Sequence, residues 1–81
     1  MPKVFEVNGY RFFFFSNEGN PYEPCHIHVR KGGNLAKFWI EPQIRLAKSD
    51  GFNSSELKFI LGVIEERCDE IKEAWNEYFG E

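Results

Sequence analysis

An 81-residue chain with a net charge of −3 holds one hydrophobic core, and its length excludes a second domain. Nine Phe, three Tyr and two Trp exceed what so small a core needs, so some aromatic surface is expected to meet a partner. Two cysteines, Cys25 and Cys68, are too few for a disulfide framework and lack metal-ligand spacing, while the negative charge argues against a generic nucleic-acid binder.

Charge is unevenly spread. Residues 1–50 carry seven Lys and Arg against five Asp and Glu, whereas residues 65–81 carry seven Asp and Glu with only Arg67 and Lys72. The chain begins Met-Pro-Lys without an apolar leader and has no run of membrane-spanning length, so a cytoplasmic protein with no membrane partner is expected.

The first element is the clearest. In "KVFEVNGYRFFFF" two strand-like runs flank Asn8-Gly9, residues that tolerate the positive φ of a type I′ hairpin turn. That turn places Glu6 opposite Arg11, Phe5 opposite Phe12 and Val4 opposite Phe13. One face is apolar through Phe5, Val7, Tyr10, Phe12 and Phe14; the other carries Glu6, Arg11, Val4, Phe13 and Phe15. "SNEGNPYEP" reads as a loop.

"HIHVRKGGNLAKFWI" predicts a second hairpin about Gly32-Gly33, with Arg30 opposite Leu35, Val29 opposite Ala36, His28 opposite Lys37 and Ile27 opposite Phe38. Pro42 stops the fourth strand. "IRLAKS" adds a fifth, with Ile44 and Leu46 on one face and Arg45 on the other.

The last third predicts one long helix. Asn53 and Glu56 fit a capping box, with Phe52 and Leu57 as the hydrophobic staple. Leu57, Ile60, Leu61, Ile64, Cys68, Ile71, Trp75 and Tyr78 or Phe79 recur at helical spacing, and Gly80 ends the run. Gly62, inside it, costs about 1 kcal/mol relative to Ala and marks a close approach or a bend. The expected fold is α+β: one domain over 1–81, with an antiparallel sheet of four to five strands (two consecutive hairpins, about 3–48) packed by one long C-terminal helix (about 54–79).

These motifs resemble a known family. The Pro2-x-Val4-Phe5 start, "GYRFFFFSNEGN", the proline before "HIHV", "AKFW", "GF" followed by "EL", and "EAWNEYFG" are similar to the bacterial domain of unknown function 4160, from Pro2 to Gly80. The resemblance implies the toxin-like member of a two-gene toxin–antitoxin module, paired with a small antitoxin-like protein of domain of unknown function 2442. It implies no established chemistry. In one departure, Cys25 stands where the family usually carries a second proline.

Read from the residues alone, the histidines leave several roles open. Alternation puts His26, His28 and Arg30 on one strand face, joined across the register by Lys37 and Trp39, and by Arg45 from the fifth strand. The plain reading is a solvated sheet face away from the helix. The sharper one is an RNA surface: Arg30, Lys31, Lys37, Arg45 and Arg11 would hold phosphates, and Trp39 or Tyr10 would stack a base. Metal-independent cleavage would then use His28 as proton carrier, with His26 and Lys37 assisting. Two histidines fall short of the three or four protein ligands of a stable zinc site, so no metal and no other cofactor is expected. Val4, Phe13 and Phe15 form the expected partner patch, covered by the cognate protein or by a second copy in a homodimer. A plain interaction domain and a stand-alone RNA-processing protein are the competing classes.

Overall fold

The computed structural model describes residues 3–15 and 23–80. Of the expected loop at 16–24, residues 16–22 lie outside that description. Asn8 and Gly9 take φ of 50° and 84°, the left-handed angles a type I′ turn requires. They join β1 (Lys3–Val7) to β2 (Tyr10–Phe13), with Val7 opposite Tyr10, Glu6 opposite Arg11 and Phe5 opposite Phe12. In the second hairpin only Gly32 has positive φ, 60°, as the first position of a type II′ turn demands. It joins β3 (His26–Lys31) to β4 (Asn34–Trp39) in the expected register, His28 opposite Lys37.

The N–H groups of Ile40 and Glu41 donate to the Cys25 carbonyl at 2.8 and 3.3 Å, fastening the end of β4 before the cis Glu41-Pro42 peptide. β5 (Arg45–Asp50) completes an all-antiparallel sheet of order β1-β2-β3-β4-β5, each strand beside its sequence neighbour.

Two β-bulges depart from the sequence reading. Lys3, not Val4, lies opposite Phe13, because Val4 is the extra residue between the Lys3–Phe13 and Phe5–Phe12 pairs. Ala47 is the extra residue of β5, between Lys37–Lys48 and Phe38–Leu46. Both bulges sit on the outer strands. Each one reverses the alternation beyond it, and each thereby turns a lysine, Lys3 or Lys48, onto the face shared by the histidines.

The helical third also differs. It is divided at Arg67 into α1 (Ser54–Glu66) and α2 (Cys68–Phe79), with Arg67 at φ −110°, ψ 23°. An unbroken helix over 54–79 would be about 39 Å long. The molecule's longest dimension is 36 Å, so the break keeps both halves over the sheet. The capping box is present: Asn53 Oδ1 accepts from the Glu56 N–H at 2.8 Å, and Glu56 Oε1 accepts from the Asn53 N–H at 3.0 Å. Arg67 lays its guanidinium 4.7 Å from the Phe5 ring centroid.

Both helices contribute to one core. Ile60, Val63, Ile64 and Ile71 join Phe5, Phe12, Phe14, Cys25, Ile27, Val29, Ala36, Phe38 and Ile40. Phe79 rather than Tyr78 completes the helical stripe; Tyr78 is 48% exposed. Gly62 is exposed, and no neighbour lies within 4 Å of where its Cβ would stand. The bend is five residues further on.

Candidate functional site

With the core on the helical side, the other face of the sheet is built from three cross-strand rows. The first runs Glu6, Arg11, Arg30, Leu35, Asp50; the second Lys3, Phe13, His28, Lys37, Lys48; the third His26, Trp39, Arg45. Cations therefore outnumber carboxylates on this face. The opposite side carries the exposed acids of the helices, Glu65, Glu66, Asp69, Glu70, Glu73 and Glu77.

The histidines lie on the expected face but are not wet. His26 is 0% exposed and His28 5%, which overturns the reading of a solvated strand surface. His26 Nδ1 lies 2.9 Å from the Pro24 carbonyl, which can only accept, so this nitrogen carries a proton. Its ring is enclosed by Trp39 at 5.4 Å, Trp75 at 5.1 Å and His28 at 5.3 Å, centroid to centroid. Trp75 belongs to α2, so the helix reaches a strand-end residue that alternation assigns to the far side.

His28 stacks on Phe13 at 5.6 Å and meets the Phe15 ring edge-on at 4.3 Å. Phe13 is itself 4% exposed, beneath Phe15 and the Arg30 guanidinium. The expected Val4, Phe13 and Phe15 patch therefore does not exist as an exposed surface. Val4 lines a hollow of about 430 Å³ on the helical side with Phe14, Ala74 and Tyr78, because the bulge moves it there.

Two expected binding residues also stand on the helical side. Tyr10 is buried against Phe52 and Phe59, and its hydroxyl donates to Glu56 at 3.5 Å. Burial first, then the Glu56 carboxylate, push its phenol above the ordinary value. Lys31 places its ammonium 4.5 Å from the Tyr10 centroid. Neither can serve the face of Trp39. Arg11, Arg30, Lys37, Trp39 and Arg45 do share that face, and the Lys37 ammonium rests 4.4 Å from the Trp39 centroid.

Sequence reasoning missed Leu35, Lys48 and Asp50. With Phe15, His28, Ala36 and Lys37 they line a hollow of about 250 Å³ on the open face. Strict alternation from Arg45 would put Lys48 with the core, and only the bulge at Ala47 brings it round. No group of three or more His, Cys, Asp or Glu that could hold a metal is found among the described residues. Nor is any helix among them long and apolar enough to cross a membrane.

Fold and site together define a small α+β protein with one helix-covered and one open, basic, aromatic-bearing sheet face. The family model described as domain of unknown function (DUF4160) matches residues 9–76, and the chain belongs to that family. No curated protein and no solved structure matches the chain.

Proposed function

We propose that the chain is the toxin-like member of a bacterial two-protein module, acting in the cytoplasm by binding RNA on its open sheet face and held by a small antitoxin-like partner. The partner and the toxic role are proposed on the family resemblance alone. The RNA part is carried by one observation: Lys37 and Arg45 flank Trp39, and Lys48, Arg30 and Arg11 extend the positive charge along the same face, whose paired strands carry only Glu6 and Asp50 as acids among the described residues. Cations for phosphates beside an aromatic for a base are the two requirements of single-strand binding. The acidic helices lie on the other side, so the net charge of −3 does not oppose this.

Burial of both histidines favours holding RNA over cutting it. A general acid or base must come within hydrogen-bond reach of the proton it moves, and a ring with 0% exposure, such as His26, cannot. His26 thus becomes a supporting side chain under the face, while His28 and Lys37 line the open hollow and serve binding in place of cleavage. Induced expression should arrest growth, and co-expression of the neighbouring small protein should relieve the arrest. Affinity for a single-stranded oligoribonucleotide should fall steeply between roughly 50 and 200 mM salt. The Arg30→Ala/Arg45→Ala variant should lose affinity and toxicity together. Normal growth on expression would remove the toxin role; salt-independent or absent RNA binding would remove the RNA face. A plain interaction domain is the competing reading, supported by the apolar wall of Phe15 and Leu35, and it expects normal growth.

A further inference from the structure

We infer that the hollow beneath Phe15 is a subsite for one nucleotide, its base against Phe15 and Leu35 over the His28 ring and its phosphate between Lys37 and Lys48. This rests on the RNA-binding reading and narrows it to one place on the face.

Size comes first. A hollow of about 250 Å³ lies below the roughly 300–1,000 Å³ of sites for drug-sized ligands, so it fits a single small group. Charge comes second. Lys37 and Lys48 stand directly opposite each other across the ladder, an arrangement that is destabilising on its own. A phosphate between the two ammonium groups turns that repulsion into two charge-assisted hydrogen bonds. Lys37 also borders Trp39, so a second base has a stacking surface on the far side of the same phosphate.

The remaining walls supply a preference. Leu35 and Asp50 face each other one row along from the lysines, two residues or about 6.7 Å up the strands. A base resting there lies over Leu35, roofed by Phe15, with the Asp50 carboxylate at its edge. That carboxylate only accepts, so it favours a base presenting an exocyclic amino group and disfavours uracil.

The test is an amide-resolved NMR titration of the full chain with cytidine monophosphate, uridine monophosphate and inorganic phosphate. A single-stranded oligoribonucleotide is titrated in parallel. Cytidine monophosphate should move the Leu35, Lys37, Lys48 and Asp50 amides saturably, at several-fold lower concentration than uridine monophosphate. Leu35→Trp, which fills the hollow, should weaken that binding at least tenfold; Lys58→Ala, an exposed lysine on α1, should not. Asp50→Asn offers a second variant that leaves the packing in place, and it should erase the preference for cytidine. Inorganic phosphate reproducing every shift at the same concentration would overturn the base-binding site, as would cytidine monophosphate leaving these amides unmoved. Oligonucleotide binding unaltered in Leu35→Trp, with the monophosphates silent, overturns the subsite and leaves the RNA face standing. Monophosphate binding at the hollow with no oligonucleotide binding supports the subsite and removes the RNA reading.

Discussion

Cys25 shows how a single side chain can be read for place but not for chemistry. Alternation along the strand sets Cys25 on the face away from His26, and it lies in the core behind β3. There its thiol is pushed up to about 12 from an ordinary 9.0, first by burial, then by Glu41 and Cys68, against a weaker pull from Lys72. The unfolded chain gives up this proton near 9.0, so the stability Cys25 contributes is whole below that pH and is lost as pH rises toward 12. Urea melts should show the wild type losing its midpoint faster than Cys25→Ala between about pH 9 and 11. Parallel curves would mean the thiol does not titrate with folding. The histidines were legible in the same partial way. Period-two alternation says which face a residue takes, but whether that face is covered depends on Phe15 and Trp75, which are distant in sequence and near in space.

At the scale of elements, what was written in local chemistry could be read. Asn8-Gly9 and Gly32 announce turns because few residues tolerate their φ, and the registers follow from the turns. Asn53 and Glu56 announce the start of α1. Asn53→Ala should cost about 0.5–2 kcal/mol through the lost cap, and Ile64→Ala about 2–5 kcal/mol through the cavity it opens. Comparable urea midpoints for the two variants would argue that Ile64 is not packed as described. The break at Arg67 carries no Gly or Pro signal; it answers to the length of the molecule, which no window of sequence contains. Gly62 is the opposite case, a signal without a bend. Its surroundings are open, so Gly62→Ala should stabilise by up to about 1 kcal/mol, seen as a higher thermal midpoint.

The whole molecule is electrically two-sided, with acids along the helices and bases across the open sheet face. The uneven spread of charge along the chain anticipated this, since the acidic tail half is the helical half. The two bulges were not anticipated: strict alternation turns Lys3 and Lys48 toward the core, but nothing local marks Val4 or Ala47 as the extra residue that turns them away. Yet they are what complete the second row with Lys3 and Lys48. The same two kinks guard against another hazard. A sheet that never closes leaves two rims of unsatisfied backbone, each a template on which a neighbouring chain could grow into a fibril. Here each rim is bent by its extra residue and carries a lysine beside the bend, so two copies brought rim to rim meet mismatched spacing and like charge. Lys48→Val with Arg45→Thr should therefore shorten the lag before thioflavin-positive aggregates form at neutral pH, while a single Lys72→Thr on α2 leaves it unchanged. The protein's solubility would then rest on the same irregularities that furnish its binding face with charge.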